Sequence, residues 1–128
     1  MVKSAAIVFG IVFLAIGILG FVPAVTTDVN GMPMLLGIFH VNAAHNYVHL
    51  ATGVVALLCG MAGFGASRTF FRIFGVVYAL VAVLGFYYGD QPLLGLISSN
   101  TANTWLHVGI AVVSLFLGFA AGGETATA

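Results

Sequence analysis

Four long apolar stretches alternate with short polar stretches along the chain. They extend from about Ser4 to Phe21, Ala43 to Phe64, Thr69 to Tyr88 and Ala102 to Ala121. A helix needs about 20 apolar residues to cross a hydrocarbon core of roughly 30 Å. The stretches lack the alternation typical of strands, and backbone groups in lipid must be paired within their own segment. The pattern therefore predicts an all-α fold, an integral membrane four-helix bundle.

The composition agrees with a lipid environment. Hydrophobic residues make up 62% of the 128 residues and charged residues only 5%, whereas about a quarter of a soluble domain is charged. A soluble enzyme and a nucleic-acid-binding protein are thereby excluded, and the lipid bilayer is the expected surrounding. The three carboxylates, Asp28, Asp90 and Glu124, lie outside the apolar stretches. We expect no paired acid–base centre and no catalytic residues.

The few cations predict the orientation. Lys3 precedes the first apolar stretch, and Arg68 and Arg72 lie between or just inside the second and third. These positions fall on one side of a four-span chain, so the positive-inside rule places both termini in the cytoplasm. The first stretch is longer than the apolar core of a signal peptide, and Pro23-Ala24-Val25 is a poor cleavage site, so we expect it to be retained.

An internal repeat relates the two halves of the chain. The segment Leu35–Asn42 aligns without gaps on Leu93–Asn100, 58 residues later, and the same register places His49 on His107. Two hairpins that enter the membrane in the same direction are parallel repeats, related by an axis along the membrane normal. We therefore expect one domain made of repeat 1 (about 4–64) and repeat 2 (about 69–121), followed by a frayed tail over 122–128.

The first and third stretches support the repeat with their own register. Phe9-Gly10 aligns on Phe74-Gly75, 65 residues later. The difference between the two registers makes the first outer loop seven residues longer than the second. Small residues at helical spacing, Ala56 and Gly60 with their counterparts Ser114 and Gly118, permit close helix approach inside the chain or against a partner.

Polar side chains within the stretches form one stripe on each of two helices. The second stretch carries His45, Asn46 and His49, and the fourth carries Asn103, Thr104 and His107. Asn42 and Asn100 precede these stripes as predicted N-caps. Polar groups below the headgroups are costly unless paired, so we expect the stripes to face the bundle interior.

The polar stripes have two alternative interpretations, helix packing and metal binding. In one, His49 and His107 form hydrogen bonds across the repeat axis with Asn46 and Thr104 and fix the helix register. In the other, the imidazoles ligate a transition metal such as Zn, Cu or Fe. His45 and His49, four residues apart, form a two-ligand clip on one helix face, and His107 or His40 adds a third ligand.

Two further uses remain open. Two histidines at equal depth can supply both axial ligands of a haem, or one can ligate a chlorophyll, with Asn46, Asn103 and the Trp105 ring among the binding residues. Aromatic residues are also usual at the membrane interface. Finally, the polar groups can line a water-filled pocket for a small solute or a proton, since histidine titrates near neutrality.

The residues of these stripes resemble a known signature. Gly37 to Gly53 read Gly-Ile-Phe-x-Val-Asn-x-x-His-Asn-x-Val-His-Leu-x-x-Gly, and Asn103 to His107 read Asn-x-Trp-Leu-His. This pattern resembles a domain-of-unknown-function family of small four-span bacterial membrane proteins, over nearly the whole chain. The resemblance implies a bacterial inner or thylakoid-type membrane, and a motif made of Asn42, His45, Asn46, His49, Asn103, Trp105 and His107. His40 lies outside that motif.

The leading functional hypothesis is a binding or accessory protein without an enzymatic centre. Its cofactor-binding residues are His45, His49, His107, Asn46, Asn103 and Trp105, and its metal ligands are the three histidines of that set. The alternative is a structural subunit or scaffold of a larger membrane complex, or a homo-oligomer, in which the cluster serves only helix packing. A pathway for a small solute or a proton is the third hypothesis.

Overall fold

The computed structural model describes residues 1–29 and 32–121, and the predicted frayed tail over 122–128 lies outside the described residues. Four helices dominate it: α1 (Val2–Leu19), α2 (Ala43–Ala62), α3 (Phe64–Tyr88) and α4 (Thr101–Leu115). A π-helical turn, Phe116–Ala120, continues α4. The predicted helices are confirmed, with α1 beginning two residues earlier than expected and α3 five residues earlier.

Three of the helices are long and apolar enough to cross a membrane. They are Val2–Leu19, Phe64–Tyr88 and α4 with its π-helical turn, Thr101–Ala120. Helix α2 has 20 residues but is less apolar, because its first half carries His45, Asn46 and His49. Large apolar side chains such as Leu58 and Val83 are exposed along the helices. This surface belongs to a membrane protein, since water would not solvate it.

The helices pack as two close pairs, α1 with α2 and α3 with α4. Glycines permit the close approach. A Cβ atom on Gly10 would lie 2.8 Å from the Leu57 nitrogen, and one on Gly75 would lie 2.8 Å from a Leu115 methyl carbon. Helices α2 and α4 approach each other less closely, so side chains fill the space between them. That space holds the polar stripes.

An aromatic core joins the two helix pairs. The Phe74 ring lies 5.5 Å from Phe13 on α1 and 4.3 Å from Tyr78 on its own helix. Phe71 is fully buried and meets Phe9 of α1 edge to face at 5.1 Å. Aromatic pairs in this geometry stabilise a core beyond their buried area. The core lies below the polar stripes and fixes the distance between the pairs.

A small antiparallel sheet, which the sequence pattern did not predict, occupies the first outer loop. After a 3-10 turn at Pro23–Val25 come β1 (Thr26–Val29), β2 (Met32–Leu35) and β3 (Phe39–His40), paired in the order β1-β2-β3. The sequence predicts this segment only as an outer loop of an all-α fold, because it is too irregular to show strand alternation. The described second outer loop has only an isolated bridge between Leu93 and Ile97.

The same turn precedes α2 and α4. Leu36 and Gly37 have positive φ angles of 55° and 70°, and Leu94 and Gly95 have φ angles of 52° and 73°. A positive φ is uncommon for leucine, because its Cβ crowds the backbone in the left-handed region. The recurrence at an offset of 58 residues therefore reflects a shared local structure rather than isolated strain.

Candidate functional site

Each polar stripe is positioned by an asparagine at the start of its helix. The Asn42 side chain accepts a hydrogen bond of 2.8 Å from the His45 backbone nitrogen, and the Asn100 side chain accepts one of 2.9 Å from the Asn103 nitrogen. A capping asparagine satisfies a backbone donor that the first turn leaves free. Both helices thus begin at equivalent points, which sets the depth of the histidines that follow.

The three helical histidines form one cluster between α2 and α4. The ring centroids of His45 and His49 are 4.3 Å apart, and those of His45 and His107 are 6.5 Å apart. The three side chains are 5%, 8% and 4% exposed, respectively. They face the bundle interior, where neither lipid nor bulk water reaches them freely.

An aromatic ring from the neighbouring helix supports each side of the cluster. Phe13 of α1 meets His49 edge to face at 5.2 Å, and Tyr78 of α3 meets His107 in the same way at 5.1 Å. Phe13 and Tyr78 are not among the site residues predicted from the sequence. Their separation of 65 residues, the register of the first and third stretches, is the signal that pairs them.

Four ring nitrogens of the cluster are buried without a hydrogen-bond partner among the described residues. They are both nitrogens of His45 and the Nδ1 atoms of His49 and His107. The expected hydrogen bonds to Asn46 and Thr104 are not formed. The Thr104 hydroxyl instead donates to the Asn100 carbonyl at 3.1 Å. Buried polar groups are nearly always paired, so four unpaired nitrogens at one place are unusual.

The cluster borders a largely enclosed cavity of about 140 Å³. Three histidines and Asn103 provide its polar lining, and Phe13 is part of its apolar wall. The remaining wall residues come from α1, the first outer loop and α4: Ile16, Leu19, Leu35, Leu36, Phe39, Val41, Leu106 and Ile110. The cavity therefore lies beside three imidazole rings and one amide in otherwise apolar surroundings.

The two asparagines predicted as binding residues differ in their position relative to the cavity. Asn103 lines the cavity, and its amide donates to the His40 carbonyl at 2.9 Å. Asn46 is buried outside the cavity lining and packs against Gly20, where a Cβ atom would collide with the asparagine amide. Of this pair, only Asn103 is available to a guest in the cavity.

Trp105 does not belong to the site. Its side chain is 60% exposed, and its ring packs against Phe86 at 5.2 Å. Residues two positions apart on a helix point about 200° away from each other. Trp105 therefore faces outward because His107 faces inward, and its ring is not brought together with the predicted histidine ligands. Tyr47, at the matching position of α2, is likewise exposed and packs against Phe21 at 5.4 Å.

The fourth histidine, His40, belongs to the outer loops rather than to the cavity. Its Nδ1 atom is hydrogen-bonded to the Ser99 carbonyl at 3.1 Å. This contact joins the segment before α2 to the segment before α4. His40 therefore differs from the three cluster histidines, because its Nδ1 atom already has a hydrogen-bond partner whereas each of them has at least one unpaired ring nitrogen.

The arrangement limits what the site can hold. Within residues 1–29 and 32–121, no group of three or more His, Cys, Asp or Glu side chains is assembled around a common point as a metal site. The cavity volume of about 140 Å³ is smaller than the roughly 300–1,000 Å³ usual for organic ligands. A haem or chlorophyll ring does not fit it as it stands, whereas a single ion or a very small molecule does.

Comparison with known proteins supplies a family. The family model described as "Domain of unknown function (DUF4383)" matches residues 3–120, nearly the whole chain. No curated protein and no solved structure matches the chain. The resemblance inferred from the histidine and asparagine motif thus leads to a family whose function is open, and the site must be interpreted from its own geometry.

Proposed function

We propose that this chain is a four-span membrane protein that binds one transition-metal ion. The chain belongs to the DUF4383 family of domains of unknown function. His45, His49 and His107 are the proposed ligands, and the protein has no catalytic centre of its own. The four unpaired ring nitrogens around the cavity support this proposal. Each neutral imidazole has one ring nitrogen without a proton, and that nitrogen is available as a metal ligand when it has no hydrogen-bond partner, so the three rings can supply one ligand each.

Two ring separations within the cluster lie near the value expected for two imidazoles that share one ion. Two imidazoles bound to one ion at about 2.0–2.1 Å, at a tetrahedral angle, have ring centres roughly 5 Å apart. The observed separations, 4.3 Å for His45–His49 and 6.5 Å for His45–His107, lie on either side of that value. Binding therefore requires His107 to move towards the pair on α2.

Copper(I) suits this site better than a divalent ion. The cavity wall is apolar apart from the three histidines and Asn103. Of the carboxylates, Asp28 lies in β1 and Asp90 lies beyond α3. An ion in the cavity keeps its whole charge, because neutral ligands do not cancel it, and burying an unbalanced charge is costly. A single charge minimises that cost, and imidazole is a suitable copper ligand.

Four membrane spans and two hairpin repeats complete the proposal. Helix α2, although less apolar, is long enough to cross if its histidine face is turned inward. Equivalent contacts in the two halves support the repeat. Phe13–His49 corresponds to Tyr78–His107, and Phe21–Tyr47 corresponds to Phe86–Trp105. Both termini are then cytoplasmic, at the end of the bundle that carries Lys3, Arg68 and Arg72.

Metal binding by the purified protein tests the proposal. The full chain, in mild detergent and under reducing conditions, is titrated with copper(I) against a competing chelator, and bound metal is counted by mass spectrometry. We expect one ion per chain in the wild type. His45→Ala, His49→Ala and His107→Ala should each weaken copper binding by about tenfold or more, since each removes one ligand.

His40→Ala is the matched control, because it removes the one histidine whose ring is already hydrogen-bonded. It should bind copper as the wild type does. Helix content by circular dichroism and elution as a single species distinguish a lost ligand from a lost fold. Wild-type protein that binds no copper(I), or cluster variants that bind it as well as the wild type, would contradict the proposal.

A structural subunit of a membrane complex is the second candidate. An apolar groove of about 580 Å³ between α2 and α3, lined in part by Ala51, Thr52 and Ala66, gives a partner helix room. The small residues Gly60 and Gly118 pack inside the chain, against Ile7 and Arg72 respectively, and are not free for a partner. Co-purification of a partner from native membranes, with no metal bound, would favour this function.

A further inference from the structure

Two arginines of α3 converge on the end of α4, at the opposite end of the bundle from the histidine cluster. The Arg68 Nε atom donates to the Gly118 carbonyl at 3.0 Å, and the Arg72 Nε atom donates to the same carbonyl at 2.7 Å. Gly118 lies in the π-helical turn Phe116–Ala120. The Gly118 carbonyl oxygen therefore accepts a hydrogen bond from each of two positively charged side chains.

Aromatic rings help to orient both guanidinium groups. The Arg68 guanidinium carbon lies 5.6 Å from the centre of the Phe64 ring, and that of Arg72 lies 5.1 Å from the Phe119 ring. A guanidinium has five N–H donors, and each arginine donates only its Nε to Gly118. Four further donors on each arginine remain for another acceptor.

No carboxylate neutralises the pair within the described part of the chain. Asp90 lies 22 residues after Arg68, beyond the far end of α3, which is about 33 Å along a helix. Asp28 is in β1, in the outer loop at that same far end. Arg72 is exposed and Arg68 is half-buried, so an external anion can reach them.

Gly118 is what allows this approach. A Cβ atom on Gly118 would lie 2.7 Å from the Arg72 backbone nitrogen and 3.0 Å from its Cα atom. Any side chain there would push α4 away from α3 and separate the carbonyl from both arginines. The geometry is thus a property of two packed backbones and does not follow from the arginine charges alone.

We infer that Arg68 and Arg72 form a binding site for a phosphate group, most readily the headgroup of an anionic phospholipid. Guanidinium groups match phosphate oxygens with paired hydrogen bonds. Basic pockets between membrane helices on the cytoplasmic side are suited to anionic headgroups. The inference rests on the membrane placement in the proposed function, and it is independent of the metal site.

Lipid binding by single-residue variants tests the inference. The full chain in neutral detergent is titrated with phosphatidylglycerol or phosphatidylcholine, and bound lipid is counted by native mass spectrometry. We expect the wild type to prefer phosphatidylglycerol. Arg72→Gln should lower its affinity about fivefold, the effect of one basic residue at a membrane surface. Lys3→Gln, which removes a charge at the same end of the bundle, should change it far less.

Two further measurements complete the test. Gly118→Ala keeps every charge but should lower the phosphatidylglycerol affinity as Arg72→Gln does, with wild-type helix content by circular dichroism and elution as a single species as evidence of folding. A titration with inorganic phosphate separates the possible sources. Binding of free phosphate that depends on Arg72 without lipid supports the site and assigns it a soluble ligand.

Three results would overturn the inference. The first is equal affinity for both lipids in the wild type, together with no binding of inorganic phosphate. The second is an equal loss in Lys3→Gln and Arg72→Gln, which would indicate nonspecific electrostatics. The third concerns Glu124, which lies outside the described residues: anion binding that appears only in Glu124→Gln would mean that the chain's own tail occupies the arginine pair.

Discussion

Asn42, which caps α2, donates a hydrogen bond to the loop segment before α4, and Asn100, which caps α4, donates one to the loop segment before α2. The Asn42 amide donates to the Leu96 carbonyl at 3.0 Å, and the Asn100 amide donates to the Ile38 carbonyl at 2.8 Å. The side-chain oxygen of each asparagine also accepts the capping hydrogen bond of its own helix, so both the oxygen and the amide nitrogen are hydrogen-bonded. These two reciprocal hydrogen bonds, called the asparagine clasp, join the two outer loops at the end of the bundle that carries the histidine cavity.

Loss of the clasp should destabilise the protein similarly from either side. Asn42→Ala and Asn100→Ala each remove a cap worth about 1 kcal/mol and a cross-loop hydrogen bond of similar size. We expect each variant to lose about 2 kcal/mol, measured by reversible unfolding in mixed detergent. Asn42→Ser and Asn100→Ser keep a cap acceptor but lose the amide donor, so they should lose less. A wild-type stability in both alanine variants would rule out the clasp.

Close helix packing at Gly10 and Gly75 gives a second prediction. A Cβ atom at either position would lie within about 3 Å of backbone and side-chain atoms of the partner helix. Gly10→Ala and Gly75→Ala should therefore each cost about 1–3 kcal/mol through overpacking. Gly109→Ala is the matched control, because a Cβ atom there meets nothing within 4 Å. Equal stability of all three variants by thermal unfolding would disprove this packing.

The tight connection between α2 and α3 gives a third prediction. Gly63 has a φ angle of 132°, and a Cβ atom there meets nothing within 4 Å, so any cost of substitution comes from the backbone alone. Gly63→Ala should destabilise by about 1–3 kcal/mol, the range for residues held in disfavoured conformations. Gly65→Ala also has open space but no positive φ, and it should leave the melting temperature unchanged. The opposite ranking would refute this account of the turn.

The position of Trp105 gives a fourth prediction, which concerns the site. Its exposed ring contacts Phe86 rather than the cavity, so Trp105→Ala should bind copper(I) with wild-type affinity. Asn103, in contrast, lines the cavity and holds the His40 carbonyl, so Asn103→Ala should weaken binding by loosening the cavity wall. Chelator competition measures both. Loss of binding in Trp105→Ala alone would move the site to the outer face of α4.

Several features of the site followed from local sequence patterns. Asn42 and Asn100 were predicted as caps, and each accepts the hydrogen bond expected of a cap. The helical period placed His45 and His49 on one face, and their rings are neighbours in the structure. Such features depend on residues within one or two helical turns, which is the range over which sequence spacing fixes geometry.

Other features were missed because they depend on contacts between helices. Phe13 and Tyr78 support the histidines from α1 and α3, and neither has a polar residue within four positions on its own helix that would have marked it. Trp105 was grouped with His107 because it lies near it in the chain, although the helical turn separates their directions. The small sheet of β1, β2 and β3 escaped prediction because its short strands pair with each other inside one outer loop.

The sequence alone determined the membrane character, the four helices and the starting points of α2 and α4, because apolar length and capping are local properties of the chain. The tertiary structure decided which polar atoms find partners. Asn42, Asn100, Asn103 and His40 join the outer loops, while four ring nitrogens of three histidines remain unpaired beside a small cavity. Side-chain rotamers and the spacing between helices control these outcomes, and both are set by packing against residues distant in sequence.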